Sequence, residues 1–374
     1  MRPTVVISIN ASWNILNFRL GLIRALKERG WRVIALSPQD DYSPRFAAEG
    51  IEHVPIAIDS SGISPLGDLA LFTRYHGLLK QIRPNAFLGY TAKPNIWGSL
   101  AAHSLGIPVL NNISGLGTAF IEGGVLRRIV SALYRAALRR SAIVFFQNPE
   151  DRQLFLASRL VRPEQAQLLP GSGIDLERFA PAALPRGGPL TFLMIGRLLW
   201  QKGVREYVEA ARRVRQEDAD TRFQLLGFLD APNRSAVPRA QVEAWAEEGL
   251  IEYLGTTDDV RPAIAAAHCV VLPSYREGLP RTLLEGAAMA RPLIAADVPG
   301  CRQLVEHGVN GFLCAPRDAA ALAQSMMEMI NLPPAAREAM GIAARAKVER
   351  EFGEAGAVAP YLQALDTIFA ARGG

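Results

Sequence analysis

Residues 272–291 read LPSYREGLPRTLLEGAAMAR, and the pattern changes twice within them. The apolar run Val270-Val271-Leu272 has the character of a buried strand. It breaks at Pro273 into a short polar loop that holds Gly278 and Pro280. From about Thr282, the residues Leu283, Leu284, Ala287, Ala288 and Met289 fall on the apolar face of a helix. Strand, loop, helix is the repeating unit of an open α/β sheet, which binds its ligands at the carboxyl ends of strands. Glu277 lies in the loop, and Glu285 lies eight residues on, about one turn into the helix. The backbone amides of Gly278 and Leu279, near a helix N-terminus, are placed to face an anion. Taken alone, the stretch reads more simply as an ordinary turn with two solvated acids. Its place in the chain decides otherwise.

The same alternation runs outward in both directions. Upstream, apolar strands are expected at Val5–Ile9, Trp31–Leu36, Ile51–Ile56, Ala86–Gly89, Val109–Asn111 and Ile143–Phe146. Helices are expected at Phe18–Arg29, around Arg45–Glu49, at Leu66–Ile82 and at Asn95–Leu105. Continuously apolar strands separated by helices mean parallel sheets covered on both faces. The stretch PGSGIDLERFAPAALPRGG, residues 170–188, is rich in Pro and Gly and reads as a linker. Beyond it the alternation restarts at Leu190–Ile195, and two helices near 334–351 and 359–371 end the chain. The organisation is a first domain over 1–175, a linker over 176–188, a second domain over 189–352, and a C-terminal helical segment over 353–374 that can cross back to the first. The fold class is α/β, two doubly wound Rossmann-like domains facing a central cleft.

Composition bounds the function without choosing it. A chain of 374 residues, 49% hydrophobic and 21% charged, has core enough for two domains. A net charge of +5 suits phosphate-bearing ligands or an anionic membrane surface. Nucleic acid is discounted, because the arginines are dispersed and no nucleic-acid-binding motif stands out. Cys269, Cys301 and Cys314 share no metal-like spacing and read as buried small hydrophobes. The start of the chain runs straight into a strand, so no secretory signal is expected, and no apolar run is long enough to span a bilayer. The Asp258-Asp259 pair reads as a helix cap before Val260 and not as a metal site.

In FLMIGRLLWQKGV, a strand ends at Gly196, and Arg197 and Lys202 follow before a helix. Two cations five residues apart at a strand's carboxyl end suit a diphosphate, though each alone reads as a solvated surface charge. The succession PGSGIDLERF, GRLLWQKG, LGTTDDV, PSYREGLPRTLLE and PGCRQLVEHGVNG resembles the second half of a family 4 glycosyltransferase of the GT-B fold. The resemblance covers that half densely and residues 5–120 more loosely, and Glu277 with Glu285 is its most specific motif. The stretches WNILNFRLGLIRALKERGW, YTAKPNIWGSLAAHSLGIP and ISGLGTAF resemble bacterial enzymes that act on undecaprenyl-diphosphate-linked sugars.

The resemblance implies roles residue by residue. Arg197 and Lys202 would grip the donor diphosphate, Glu277 the hydroxyls of the donor sugar, and Glu285 the ribose hydroxyls. Gly196, Gly278, Leu279 and Pro280 would line the donor site as backbone. It also implies retention of configuration, a UDP-sugar donor, an N-acetylhexosamine as the transferred sugar, and neither cofactor nor divalent metal. The acceptor would be a lipid-diphosphate-linked saccharide of O-antigen, capsule or glycoprotein glycan assembly, and the enzyme would sit on the cytoplasmic face of the membrane. In the first domain Arg19, Lys93 and Ser114 are the acceptor candidates, Ser114 standing where many relatives carry a histidine. No histidine is assigned a role; His76 and His103 read as structural. The stretch 125–141, VLRRIVSALYRAALRRS, sets Leu126, Val130, Leu133, Ala137 and Leu138 against Arg127, Arg128, Arg135, Arg139 and Arg140. It reads equally as a helix lying on an anionic surface and as a core helix with a basic outer face. Two other functions stay open: a sugar-nucleotide epimerase of the same fold, and a non-catalytic binder of sugar nucleotides.

Overall fold

A computed structural model describes residues 2–59, 64–116, 124–229 and 235–373, with side chains as far as residue 370. The chain forms two compact units, Met1–Gly173 with Glu354–Gly374, and Ile174–Gly353.

The first unit holds β1 (Thr4–Ser8), β2 (Arg32–Ser37), β3 (Glu52–Pro55), β4 (Ala86–Tyr90), β5 (Val109–Ile113), β6 (Ile143–Phe146) and β7 (Ala166–Leu168). They form one parallel sheet in the order β3-β2-β1-β4-β5-β6-β7. Strand alternation sends side chains to opposite faces. Thus Val5 and Ile7 pack with Leu22, Ile23 and Leu26 on one face, and Val6 packs with Leu71, Tyr75 and Leu79 on the other. The order reverses direction between β1 and β4, so the loops after these two strands diverge and leave a crevice at their carboxyl ends.

The second unit holds β8 (Thr191–Ile195), β9 (Arg222–Leu226), β10 (Glu252–Tyr253), β11 (Cys269–Leu272), β12 (Leu293–Ala296) and β13 (Gly311–Cys314). They too form a parallel sheet, in the order β10-β9-β8-β11-β12-β13. Phe192 and Met194 of β8 enter one core, and Leu193 and Ile195 enter the other. Here the order reverses between β8 and β11.

Local departures from the sequence reading have identifiable causes. The helix expected over 18–29 runs Leu20–Glu28, and an unexpected helix, Ser12–Phe18, precedes it, the two separated by a break at Arg19. No Gly or Pro marks that break, so the apolar period runs through it unaltered. Over Asn95–Leu105, a π turn at Pro94–Gly98 precedes an α-helix at Ser99–Ser104. The helix expected around Arg45–Glu49 is a 3₁₀ turn, Ser43–Phe46. The last helix begins at Glu354, not at 359, and contains Pro360. The proline removes one backbone donor near the start of a helix that tertiary packing otherwise holds.

The Pro/Gly-rich segment after Gly173 is fixed along the second unit. The fully buried Arg291 donates through Nη2 to the carbonyls of Ala182 and Ala183, at 3.1 and 2.9 Å. Arg345 donates to the Phe179 carbonyl at 2.7 Å. A segment without a regular ladder thus has part of its backbone satisfied by two guanidinium groups. Among the described residues no helix is long and apolar enough to cross a membrane.

Candidate active site

The loops after β8 and β11 carry the donor candidates of the second unit, so they meet at the sheet's point of reversal. After β8, Gly196 takes φ +153 and donates its N–H to the Leu226 carbonyl at 3.0 Å. Arg197 follows, exposed and without an ion pair among the described residues. Trp200–Lys202 forms a 3₁₀ turn that ends at Gly203 in the left-handed region, φ +79. Glycine is required there on two counts. The φ disfavours a side chain, and a Cβ would collide with the Pro273 carbonyl of the neighbouring loop.

After β11, residues 273–280 run to the helix Arg281–Ala288, for which Pro280 is the N-cap. Two bonds stitch this segment to the loop after β8. Tyr275 N–H donates to the Gln201 carbonyl at 3.0 Å, and Thr282 Oγ1 donates to the Ile195 carbonyl at 3.1 Å. The result is a direct ion pair between Lys202 Nζ and Glu277 Oε1. Their side chains are 23% and 12% exposed, so the pair sits where solvent screens it weakly. Gly300, φ +83, closes the floor; a Cβ there would strike the carbonyls of Glu277 and Gly278. Gly278 is buried, and Leu279 packs against the apolar cluster beneath.

Glu285 lies one turn into the helix and accepts from Arg281 Nε at 3.0 Å. Burial pushes its carboxyl above the usual carboxylate range, against the pull of the Arg281 and Arg178 guanidinium groups. Asp259, read as a helix cap, is bound by Arg261, which donates to both its carboxylate oxygens at 2.8 and 2.7 Å. That contact holds Asp259 below the usual carboxylate range. Among the described residues no cluster of His, Cys, Asp or Glu has a metal-binding arrangement. The three cysteines are free and buried.

The acceptor candidates of the first unit are not alike. Lys93 N-caps the π turn after β4 and is paired with buried Asp68 at 3.0 Å. Arg19, at the helix break, is 5% exposed, and its guanidinium lies 4.1 Å over the Tyr90 ring. Its Nε is sealed from solvent without a hydrogen-bond partner, and no carboxylate among the described residues pairs with it. A buried cation held only by a ring face is under-compensated. Ser114 is half-buried directly after β5. The remainder of the ISGLGTAF stretch, from Gly117, lies outside the described residues. His103 Nε2 donates to the Ala137 carbonyl at 2.9 Å, and burial holds its imidazole below the usual histidine range, which is a structural role. In the helix Gly124–Leu138, Val130, Leu133, Tyr134, Ala137 and Leu138 join the core, so the apolar face is packed. Val125 and Ile129, beside Arg127 and Arg128, remain exposed.

Sequence reasoning missed Tyr275, Glu206 and Arg317, which brace the loop after β11, and Arg281, which pairs with Glu285. The one local signal was the position of Tyr275, two residues before Glu277 in a loop already singled out.

Two family profiles match the chain: "Glycosyl transferase 4-like domain" over residues 17–172 and "Glycosyl transferases group 1" over residues 189–331. The chain is 25% identical over 339 residues to N,N'-diacetylbacillosaminyl-diphospho-undecaprenol alpha-1,3-N-acetylgalactosaminyltransferase of Campylobacter jejuni, covering 86% of this chain and 88% of that protein. It is 26% identical over 288 residues to UDP-Gal:alpha-D-GlcNAc-diphosphoundecaprenol alpha-1,3-galactosyltransferase of Escherichia coli, covering 72% of each. Among solved structures, Anabaena HepE in complex with UDP-glucose superposes with a TM-score of 0.80 at 17% identity, over 97% of this chain and 99% of that one. With one profile on each unit and the sheet order of both units in place, the chain belongs to the family 4 glycosyltransferases of the GT-B fold.

Proposed function

We propose that this glycosyltransferase moves an N-acetylhexosamine from a UDP-sugar to an undecaprenyl-diphosphate-linked saccharide, with retention of configuration and without a divalent metal. The observation that carries the reading is the Lys202–Glu277 ion pair at the point where the second sheet reverses, with Arg197 on the same loop. The names of the Campylobacter jejuni and Escherichia coli relatives support the lipid-diphosphate acceptor, and the latter a UDP-linked donor.

On this reading Arg197 and Lys202 take up the charge that grows on the departing diphosphate, the kind of term that dominates such reactions. Donor phosphate replaces Glu277 as the partner of Lys202, and Glu277 then accepts from the sugar hydroxyls. Glu285 accepts from the two ribose hydroxyls, a task that suits a carboxylate's four lone-pair sites. The backbone of Gly196, Gly278, Leu279 and Pro280 lies against the sugar and phosphate. The acceptor oxygen bonds to the anomeric carbon as the bond from that carbon to the phosphate oxygen breaks. The acceptor hydroxyl's proton passes to that leaving phosphate on the same face. In the first unit Arg19 and Ser114 serve the acceptor, while Lys93 is the weaker anion ligand because Asp68 already neutralises it. Exposed Val125 and Ile129 with Arg127 and Arg128 suit peripheral contact with an anionic membrane.

One assay tests the proposal. UDP release is measured from UDP-N-acetylglucosamine and UDP-N-acetylgalactosamine, with and without a bacterial membrane lipid extract, and with EDTA. Acceptor-dependent release that persists in EDTA is expected. Lys202→Ala and Glu277→Ala should each reduce it by at least about a hundredfold. Interconversion of the two sugars without lipid would instead mark an epimerase, and binding without either reaction a silent partner.

A further inference from the structure

The loop after β11 is braced by groups that have no part in the transfer proposed above. Tyr275 donates its hydroxyl to Glu206 Oε1 at 2.7 Å. Glu206 stands in the first turn of the helix Val204–Glu217 and is only 8% exposed. Its other oxygen, Oε2, is buried and has no hydrogen-bond partner among the described residues. From a third element, the Arg317 guanidinium lies 4.5 Å over the Tyr275 ring. Arg317 itself is held at φ +60, a left-handed conformation that a long side chain seldom adopts. Burial and the Glu206 carboxylate push the Tyr275 hydroxyl up to about 12, so it remains a donor at neutral pH.

Each of these features costs stability if judged as packing alone. A half-satisfied buried carboxylate and a strained arginine backbone both call for compensation. What they secure is the loop register. Tyr275 precedes Glu277 by two residues, and its N–H binds the carbonyl of Gln201, the neighbour of Lys202. A shift of Tyr275 therefore moves Glu277 relative to Lys202.

We infer that Tyr275 is a positioning residue, held by Glu206 and Arg317, that sets the separation and orientation of Lys202 and Glu277. The inference rests on the assignment of those two residues to the donor site.

Tyr275→Phe keeps the ring and its stacking on Arg317 but removes the hydroxyl. In the UDP-release assay its kcat should fall about tenfold, with the donor KM within about twofold, because a small misplacement acts on the reacting geometry more than on binding. Glu206→Gln still accepts the hydroxyl and should stay within about threefold of wild type, whereas Glu206→Leu should match Tyr275→Phe. The double variant Tyr275→Phe/Glu206→Leu should be no slower than the slower single variant, since both remove one interaction. A wild-type kcat in Tyr275→Phe overturns the inference, as does a loss explained wholly by a smaller folded fraction. Full turnover in Lys202→Ala would remove the donor-site assignment and this inference with it. Turnover lost there but intact in Tyr275→Phe removes this inference alone. Amide hydrogen exchange over residues 274–280 needs no donor. Faster exchange in Tyr275→Phe is expected, and unchanged exchange overturns the brace.

Discussion

Glu285, proposed above to meet the ribose, is buried at some cost to the folded protein. Its folded-state carboxyl binds a proton more tightly than an ordinary glutamate, because burial outweighs the Arg281 pairing. The contribution of this group to stability is therefore fully present below its ordinary value of 4.5 and is lost as pH rises through the raised value. Glu285→Gln removes the titration. Its thermal midpoint at pH 7.5 should not fall, and the midpoint's decline with pH above the ordinary carboxylate range should flatten. Calorimetric titration with UDP should show affinity reduced by at least about tenfold, as one charged hydrogen-bond acceptor is lost. Glu277, Arg197 and Lys202 could be singled out in the sequence because each follows a strand end, and Glu285 because it stands eight residues beyond Glu277 in the helix that follows. The Glu206–Tyr275 bond was not, because it joins residues 69 positions apart that only the adjacency of β8 and β11 brings together.

At the scale of elements, the turn Trp200–Lys202 and the loop after β11 fit so closely that Gly203 has no room for a Cβ. Gly203→Ala combines an unfavourable φ with a backbone collision. It should cost about 1–3 kcal/mol and lower the thermal midpoint by roughly 3–10 °C. UDP affinity should drop with it, since the Lys202 end of the turn must move; calorimetry and a melting curve would record both. Strands and most helices were legible because buried parallel strands read as unbroken apolar runs. The break at Arg19 was hidden because its cause is tertiary: the arginine turns inward onto Tyr90. Residues 176–188 looked like free linker because Pro and Gly exclude a helix. Composition carries no sign that Arg291 and Arg345 hold the backbone in place from positions far along the chain.

At the scale of the molecule, the first unit is completed by the last stretch of the sequence. Val358, Tyr361 and Leu365 are buried in its core, and Asn112 Nδ2 donates to the Tyr361 hydroxyl at 2.8 Å. Arg29 adds a surface pair with Asp366 at 2.9 Å. Three buried side chains at about 1.5–3 kcal/mol each, with the orphaning of a buried amide, approach the whole stability of an ordinary domain. A chain ending at Gly353 should therefore lose the calorimetric transition of the first unit while keeping that of Ile174–Gly353. The helical pattern of the C-terminal segment was legible after the second domain. Its partner Tyr361 was not, since one aromatic on an amphipathic helix carries no address.

The chain enters the second unit at Ile174 and leaves it at Gly353, two residues joined as a parallel bridge. Protein synthesis makes this arrangement a matter of timing. A ribosome that has finished Met1–Gly173 has not yet made the helix that closes that unit's core. At about 5–20 residues per second, translation of Ile174–Gly353 takes roughly 10–40 s. During that interval the apolar groove that awaits Tyr361 and Leu365 is open, and at its end the inserted unit has every residue it needs while the first unit still lacks its closing helix. The later-made half is thus the first able to finish folding, and the earlier half is the one that a nascent-chain chaperone would have to shield.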